Sequence, residues 1–445
     1  MAKQLFGTDG IRGVAGQPPL DERTVFACGM ALGADLNLRG TAPNVVIGMD
    51  TRESGAQIAG WLAGGLAAES INFRFAGVIT TPGVAYLTKA TPFSAGVMIS
   101  ASHNPYQDNG IKIFSATGYK LPDDEEHEIE EEIFRLLGSG LRPSSAPLRE
   151  ESVLREDYVS YLLSTLKTGL SGLRLVIDCG NGAASLLAPG LFEKAGALVT
   201  LTGCAPDGRN INKDCGALHV EQLRERVLRE GADAGVAFDG DADRAILVSH
   251  SGKIIDGDNV LLIAARFLKK QSLLRGDTVV STVMSNLGLE RALGRLNIRM
   301  LRTPVGDKYV LEEMIRQDAS LGGEQSGHVI FREFSTTGDG MLTALRMFEI
   351  ARATGMNLDQ LTEDFVAYPQ KLVNIRVKQR RPMNELPLTL KAISEAEHEL
   401  NDSGRVLVRF SGTELLARVM VEGPDQASVD RHSDKIAQVI TQELE

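Results

Sequence analysis

Residues 95–114 read AGVMISASHNPYQDNGIKIF, in which two apolar stretches flank a short polar segment. Apolar runs that are rich in Val and Ile predict buried β-strands, and the polar segment between them predicts a loop. A loop held between two strands is a common place for functional side chains, because the sheet supports it rigidly. The stretch therefore predicts a strand–loop–strand unit, with Ser102 exposed and approachable on the loop.

The same kind of unit occurs three more times along the chain, as AGVAFDGDADRAILV (234–248), SLGGEQSGHVIF (320–331) and RVLVRFSGTELLARVMVEG (405–423). Elsewhere apolar β-branched runs alternate with amphipathic stretches, for example at 45–49 before a helix near 57–70. That alternation is typical of α/β domains with parallel or mixed sheets. We therefore predict three related α/β domains with mixed sheets and a smaller α+β C-terminal domain, each offering one loop to a central cleft.

Domain boundaries are predicted from composition. The Gly-, Pro- and Ser-rich stretch 138–152 reads as a linker, and it follows an acidic helix at 123–137 whose charges are expected to be solvated. Further boundaries are expected near 256–258 and 368–369. The predicted domains span residues 1–150, 151–255, 256–368 and 369–445.

Length and composition restrict the class of protein. A chain of 445 residues exceeds what one hydrophobic core usually supports, and 43% hydrophobic with 24% charged residues is ordinary globular composition. The formal net charge of −11 argues against nucleic acid or an anionic membrane as a general partner. The four cysteines show no CxxC pair, and no run of about 18 apolar residues occurs. We expect a soluble cytoplasmic protein with reduced thiols.

The first loop, residues 100–105, places Ser102 beside His103. A neighbouring serine and histidine do not by themselves indicate catalysis, since serine is common in turns. Lys112 lies on the returning strand and is expected to face the same side as this loop, although a solvated strand lysine is an alternative interpretation.

The second loop carries Asp239, Asp241 and Asp243, two residues apart. In an extended segment this spacing points all three carboxylates to one side, where they can converge on a hard cation. An EF-hand loop would have glycine at its sixth position and glutamate at its twelfth, whereas Arg244 and His250 stand there. A magnesium site that also takes a phosphate ligand is the better interpretation.

The third loop, residues 323–328, offers the Glu324 carboxylate and the Ser326 hydroxyl, which suit sugar hydroxyls or an amino group. The fourth loop combines arginines, hydroxyls and glycine, as expected of a phosphate-binding nest, in Arg409, Ser411, Gly412, Thr413 and the later Arg418.

Near the N-terminus, residues 6–13 place three glycines around Arg12, so that backbone and guanidinium can approach an anion. Neither GxGxxG after a strand nor GxxxxGK[ST] occurs, so nucleotide binding by those routes is not supported.

With the motifs FGTDGIRG, SASHNP, FDGDADR, GEQSGH and SGTE in this order over the whole chain, the sequence resembles the α-D-phosphohexomutase family. The stretches VMSNLGLE and STTGDG are similar to its phosphoglucosamine branch rather than to its phosphomannomutase or phosphoglucomutase branches. Two positions depart from the family pattern: Leu415 replaces the usual proline after SGTE, and Met49 stands where a basic residue is common before DTR.

The resemblance implies a heart-shaped, four-domain enzyme that converts glucosamine 6-phosphate to glucosamine 1-phosphate, on the route to UDP-N-acetylglucosamine. It also implies one Mg²⁺ per chain and glucosamine 1,6-bisphosphate, or a related bisphosphate, as intermediate or activator. The phosphorylated serine would be Ser102, which would bind the metal together with Asp239, Asp241 and Asp243.

The remaining assignments by motif concern catalysis and substrate. His103 and Lys112 are the candidates for the general acid/base, and Arg12 would stabilise charge. The expected substrate-binding residues are Arg244, Glu324, Ser326, Arg409, Ser411, Gly412, Thr413 and Arg418.

Three alternatives stay open at this point. A phosphomannomutase or phosphoglucomutase of the same family would differ only in sugar specificity. A metal-dependent phosphatase with Ser102 as nucleophile would be expected to have several histidine ligands, which these loops lack. A catalytically silent sugar-phosphate sensor would not need a complete set of serine and aspartates. The expected partners are a phosphosugar substrate and a second copy of the chain in a homodimer, with neither nucleic acid nor membrane.

Overall fold

The computed structural model describes residues 4–7, 9–40, 42–379, 381–410 and 415–444. The chain divides into two compact units, Met1–Met284 with Ile298–Glu363, and Ser285–Asn297 with Asp364–Glu445. Within the described residues no helix is long and apolar enough to cross a membrane. All four cysteines are free thiols, and three of them are buried.

The first sheet has six strands in the order β1-β2-β6-β5-β3-β4. The strands are β1 Phe6–Gly7, β2 Gly10–Val14, β3 Asn44–Met49, β4 Asn72–Val78, β5 Ala95–Ile99 and β6 Asp108–Ser115. The accompanying helices are α1 Glu22–Arg39, α2 Gly55–Ala68, α3 Thr81–Ala90 and α4 Asp123–Leu137. Strand β5 is buried along its whole length, and a Cβ on its Gly96 would lie 2.0 Å from Thr88 Oγ1. Glycine at this position therefore lets α3 pack closely on the sheet.

The second sheet has five strands in the order β11-β10-β9-β7-β8. Its strands are β7 Arg174–Asp178, β8 Leu198–Thr202, β9 Ala234–Phe238, β10 Ala245–Ser249 and β11 Ile254–Ile255. The helices of this part are α5 Ser152–Ser164, α6 Ala188–Lys194 and α7 Glu221–Glu230.

The third sheet has four strands in the order β13-β12-β14-β15. They are β12 Thr278–Thr282, β13 Arg299–Thr303, β14 Leu321–Gly323 and β15 Val329–Phe331. The helices around these strands in sequence are α8 Gly257–Lys270, α9 Leu287–Arg295, α10 Asp307–Arg316, α11 Gly340–Thr354 and α12 Leu358–Leu361. Of these, α9 belongs to the second compact unit.

These three sheets share one topology. In each, three parallel strands are followed by a fourth that runs antiparallel: β4-β3-β5 then β6, β8-β7-β9 then β10, and β13-β12-β14 then β15. The first three predicted loops all leave the carboxyl end of the third parallel strand. The predicted repeat of related α/β domains with mixed sheets is confirmed.

The fourth sheet lies in the second unit and has three antiparallel strands in the order β16-β18-β17. The strands are β16 Gln370–Arg376, β17 Arg405–Phe410 and β18 Leu416–Glu422, with helices α13 Pro387–Leu400 and α14 Gln426–Leu444. This is the predicted smaller α+β domain, and its own core is formed by residues such as Val419, Val421, Ile436 and Ile440. The residue boundaries proposed from the sequence for the four domains stay a prediction.

Helix α4 differs from its prediction as a solvated acidic face. Glu126 and Glu130 are buried. Glu130 accepts hydrogen bonds from the backbone N–H groups of Gln4 (2.7 Å), Leu5 (2.7 Å) and Phe6 (3.0 Å). The carboxylate is buried because it satisfies the amide donors at the start of β1, which a sequence pattern within the helix does not reveal.

Asp339 gives the first unit a pH-dependent stability. It is the N-cap of α11, accepts from Leu342 N–H at 2.9 Å, and also accepts from Tyr158 O–H at 2.7 Å. Burial raises the pKa of Asp339 to about 6, although these hydrogen bonds favour the carboxylate. The pKa of Asp339 in the folded protein therefore exceeds the usual value of 3.8. Protonation of Asp339 stabilises the folded state fully below about pH 4, and this stabilisation is lost as the pH rises towards 6.

We expect Asp339→Asn to remove this loss, because asparagine keeps a capping oxygen without the charge. The wild type should lose on the order of 2–3 kcal/mol more than the variant between pH 4 and pH 7. Urea unfolding midpoints at both pH values measure the difference. Asp256→Asn, at the half-buried N-cap of α8, is the matched control and should follow the wild type. Parallel pH curves for wild type and Asp339→Asn would contradict the prediction.

Candidate active site

Ser102 lies on the turn after β5 and is 1% exposed. Its Oγ donates a hydrogen bond to Asp239 Oδ2 at 2.6 Å and lies 3.4 Å from His103 Nδ1. The expectation of an exposed, approachable serine is wrong for this conformation. The second loop covers the residue so closely that a Cβ on Gly240 would lie 2.5 Å from the Ser102 carbonyl oxygen.

The second loop brings its three aspartates together. One carboxylate oxygen of each of Asp239, Asp241 and Asp243 lies within 4.8 Å of the others, and all three residues are buried. The predicted convergence is present, but the predicted cause is wrong. The segment turns instead of extending, with Ala242 in the left-handed region at φ +55°.

Residues around the first sheet, on β6, on α3 and between β1 and β2, hold this cluster. Asp241 Oδ2 accepts from Thr81 Oγ1 at 2.5 Å and from Lys112 Nζ at 2.9 Å. Lys112 Nζ also lies 3.5 Å from Asp243 Oδ2 and 3.1 Å from Asp9 Oδ2. Lys112 therefore does face the serine side of the sheet, and it is almost completely buried there.

Burial and mutual repulsion set the charges of the cluster. Burial, followed by the nearby charges of Asp243 and Asp241, raises the pKa of Asp239 well above its usual value. Burial alone would also raise the pKa of Asp243, but Lys112 and His328 outweigh it and hold that pKa well below the usual range. The cluster thus holds three carboxyl groups in close contact despite their mutual repulsion, and Lys112 and His328 stabilise the charged form of Asp243.

The two candidates for the general acid/base differ in charge. Burial opposes the charged form of Lys112, but Asp241 and Asp9 outweigh it and raise its pKa well above normal. Burial, with Arg244 and Arg12, lowers the pKa of His103 to about 4. At neutral pH Lys112 is therefore an ammonium group and His103 a neutral imidazole.

The cluster has free ligand atoms for a cation. Asp241 Oδ1 and Asp243 Oδ1 are buried, and neither accepts a hydrogen bond from any described residue. Buried carboxylate oxygens without donors are costly unless a cation coordinates them. A set made only of carboxylates suits a hard ion such as Mg²⁺ better than a soft metal.

A cavity of about 390 Å³ opens beside the cluster. Its polar lining comes from the parts of the chain around all three sheets of the first unit: Asp9, Arg12, His103, Asp243, Arg244, Asp307, Glu324 and His328. Two guanidinium groups and three carboxylates outside the aspartate cluster thus line a space large enough for a small polar ligand. Arg12 and Arg244, named from the sequence for charge stabilisation and substrate binding, meet here.

The third loop contributes Glu324 to this cavity. Glu324 Oε1 accepts from Gly306 N–H at 3.1 Å, and Ser326 Oγ lies 3.4 Å from Glu324 Oε2. The two predicted residues are therefore adjacent.

Several residues of the site were not predicted. Asp9 forms ion pairs with Arg12, Lys112 and Lys120, and Asp307 Oδ2 pairs with Lys120 at 2.5 Å. Asp9 lies inside the quoted FGTDGIRG motif, so the signal was available, but only Arg12 was singled out from it.

His328 was also missed as a site residue, although it ends the GEQSGH motif. Its Nε2 accepts from Gly338 N–H at 3.0 Å, and its Nδ1 lies 3.7 Å from Asp243 Oδ1. An accepting Nε2 leaves the imidazole proton on Nδ1, directed at the aspartate cluster.

The fourth loop belongs to the second unit. Arg409 on β17 stands directly opposite Arg418 on β18, and burial together with the charge of Arg418 lowers the pKa of Arg409. Two guanidinium groups at neighbouring positions are a common way to bind a phosphate or carboxylate oxygen. Ser411, Gly412 and Thr413 lie outside the described residues.

Four family models match consecutive parts of the chain. Their descriptions are phosphoglucomutase/phosphomannomutase alpha/beta/alpha domain I at residues 3–137, domain II at 156–252, domain III at 256–368 and the C-terminal domain at 372–439.

Among curated proteins, a phosphoglucosamine mutase from Solibacter usitatus is 60% identical over 444 residues, which covers 100% of both chains. A phosphoglucosamine mutase from Koribacter versatilis is 52% identical over 451 residues, covering 99% of this chain and 97% of that protein. Among solved structures, a phosphoglucomutase/phosphomannomutase family protein from Burkholderia thailandensis superposes with a TM-score of 0.80 at 23% identity, over 99% of this chain and 98% of that one.

Proposed function

This chain belongs to the phosphoglucomutase/phosphomannomutase family, and we propose that it is an isomerase that interconverts glucosamine 6-phosphate and glucosamine 1-phosphate. One observation carries the proposal. The Ser102 hydroxyl lies 2.6 Å from Asp239, in a buried cluster of three aspartates beside a cavity that Arg12, Arg244 and Glu324 line. Nucleophile, cation site and anion-binding side chains thus occur together, as phosphoryl transfer requires.

We assign Mg²⁺ to Asp239, Asp241, Asp243 and an oxygen of phosphorylated Ser102. When bound, the ion would neutralise charge on the phosphoryl group during transfer. The two buried carboxylate oxygens that accept no hydrogen bond from described residues support this assignment. Lys112, which faces Asp241 and Asp243, would fix the orientation of their carboxylates.

The reaction is proposed to proceed in two transfers. Phosphorylated Ser102 gives its phosphoryl group to a hydroxyl of the sugar phosphate, which yields glucosamine 1,6-bisphosphate and the free serine. The bisphosphate reorients and returns its other phosphoryl group to Ser102. The neutral imidazole of His103, with its pKa lowered to about 4, would accept the proton of the attacking sugar hydroxyl in the first transfer and pass it to the departing Ser102 oxygen, which lies 3.4 Å from His103 Nδ1. The proton would move in the opposite direction in the second transfer.

Charged side chains would hold the substrate. In the cavity, Arg12 and Arg244 are assigned to phosphoryl oxygens, and Glu324 and Ser326 to hydroxyl or amino groups of the sugar. We further assign a phosphate-binding role to the fourth loop, through Arg409, Ser411, Gly412, Thr413 and Arg418. The cross-strand pairing of Arg409 with Arg418, which brings two guanidinium-bearing residues to neighbouring positions, supports that role.

A phosphomannomutase or phosphoglucomutase activity is not favoured, since both curated relatives described above are phosphoglucosamine mutases over their full length. The cytoplasmic location and the homodimer stay predictions.

Glucosamine, mannose and glucose 6-phosphates, compared side by side with Mg²⁺, test the specificity. We expect kcat/KM for glucosamine 6-phosphate to exceed the other two by at least about 100-fold, because a site built to bind an amino group rejects analogues without it. Equal or greater kcat/KM with mannose or glucose 6-phosphate would contradict the proposal.

A further inference from the structure

Buried polar side chains hold the backbone of Ser102 on both sides. Arg52 Nη2 donates to the carbonyl oxygens of Ser102 and Asn104, both at 2.9 Å, and its Nη1 donates to Pro105 O at 2.5 Å. The Arg52 side chain is 0% exposed. One guanidinium therefore binds three carbonyl groups of the serine loop at once.

Asp50 links this arginine to the other side of Ser102. Its Oδ2 accepts from Arg52 Nε at 2.9 Å and from Ser100 Oγ at 2.6 Å. Ser100 Oγ in turn accepts from the N–H of Ser102 at 2.9 Å. Both backbone polar groups of Ser102 are thus connected to one buried ion pair.

A second donor reaches the same carbonyl from a different part of the chain. Asn212 Nδ2 donates to Ser102 O at 2.9 Å and lies 3.3 Å from Asn104 O. The backbone N–H of Asn212 donates to Gly180 O at 2.8 Å, just beyond β7. The Ser102 carbonyl therefore accepts from both the first and the second α/β domain.

The conformation of Ser102 needs such support. Its φ is +52°, in the left-handed region that residues with a side chain seldom occupy. If these donors were lost, the backbone would be free to relax towards an ordinary conformation, and the Oγ would move relative to the aspartates. Phosphoryl transfer depends mainly on position, and a displacement of about 1 Å can cost ~100-fold in rate.

We propose that Arg52 and Asn212 are positioning residues that hold Ser102 in its left-handed conformation for phosphoryl transfer. The inference rests on the proposed role of Ser102 as the phosphoryl carrier. It gives the DTR segment at residues 50–52 a role that is separate from substrate and metal binding.

Single-turnover transfer tests this role. The full chain, with Mg²⁺ and with Ser102 phosphorylated by a hexose 1,6-bisphosphate, is mixed with glucosamine 6-phosphate, and loss of phosphoserine is followed by rapid quench. The variants are Arg52→Lys, Asn212→Ala and the double variant. Lysine keeps the charge of Arg52 but cannot bind three carbonyls and a carboxylate at once.

Arg346→Lys is the matched control. Arg346 is also buried, pairs with Glu349 at 2.6 Å and donates to the Thr165 carbonyl, but no contact links it to the serine loop in the described residues. Arg52→Lys and Arg346→Lys should lower the melting temperature similarly. Only Arg52→Lys should slow transfer, by about 10- to 100-fold, with KM within about twofold of wild type.

The coupling between the Arg52 and Asn212 substitutions gives a second measurement. Because both side chains act on one carbonyl, Asn212→Ala should slow transfer less in the Arg52→Lys background than in the wild type. Wild-type transfer rates in both single variants would overturn the inference. If Arg52→Lys does not fold, Asn212→Ala decides alone, and an unchanged rate there overturns it. If phosphorylated wild-type enzyme itself transfers nothing to the sugar, the proposed function fails instead.

Discussion

Replacing Ser102 by alanine should reduce kcat/KM with glucosamine 6-phosphate by at least about 10⁴-fold, because it removes the only atom proposed to carry the phosphoryl group. Two neighbouring hydroxyls of the described residues are directed at other carboxylates and not at Asp239. Thr81 Oγ1 donates to Asp241 Oδ2 at 2.5 Å, and Ser100 Oγ to Asp50 Oδ2 at 2.6 Å. The loss should therefore appear in kcat at any substrate concentration.

Intact-mass spectrometry checks the cause of that loss. Active wild-type protein should carry a phosphate adduct, and Ser102→Ala should not. Ser94→Ala is the matched control, since Ser94 is a half-buried serine just before β5 whose Oγ accepts only from Asn44 N–H among the hydrogen bonds of the described residues. That variant should keep both adduct and activity. Active wild-type protein that never carries phosphate on Ser102 would exclude the covalent mechanism.

Asp241→Asn should lower kcat by about 10³-fold, the second largest effect. A bound cation contributes several kcal/mol to stabilisation of the transferring group, and each 1.4 kcal/mol corresponds to a factor of about ten. The change removes one anionic ligand but hardly alters volume, and an amide oxygen can still accept from Thr81 or Lys112. We therefore expect the protein to fold as the wild type does.

Two measurements separate a metal role from a structural one. A saturating Mg²⁺ concentration of about 100 times Kd should stabilise the wild type by about 2.7 kcal/mol and Asp241→Asn much less. Asp359→Asn, which removes an acceptor for Ser249 and Ser251 elsewhere in the first unit, should keep the response to Mg²⁺. Near-wild-type activity of chelator-treated enzyme would argue decisively against the metal assignment.

The sheets were predictable because their signals are local. Each strand–loop–strand unit carries its own apolar runs and its own turn, and all four form antiparallel hairpins in the structure, at β5/β6, β9/β10, β14/β15 and β17/β18. The three aspartates were also found from local spacing, although a turn and not an extended segment brings them together.

The rest of the site depends on pairs that are distant in sequence. Ser102 and Asp239 are separated by 137 positions, and Lys112 and Asp241 by 129. A pattern within one segment does not predict that a second loop will cover Ser102 or that Asp9 will form an ion pair with Lys112. The prediction that the charge of Glu130 is solvated was wrong for the same reason, because its amide partners are distant in sequence, at the start of the first domain.

Transfer of a labelled phosphoryl group tests the central claim most directly. Wild-type protein carrying radioactive phosphate on Ser102 is mixed with Mg²⁺ and unlabelled glucosamine 6-phosphate, and the products are separated within one turnover. The account predicts that the label leaves Ser102 and appears first in glucosamine 1,6-bisphosphate, then in glucosamine 1-phosphate. If the label instead appeared as inorganic phosphate at the rate at which it leaves Ser102, water would be the acceptor of the phosphoryl group. That result would contradict a mutase reaction.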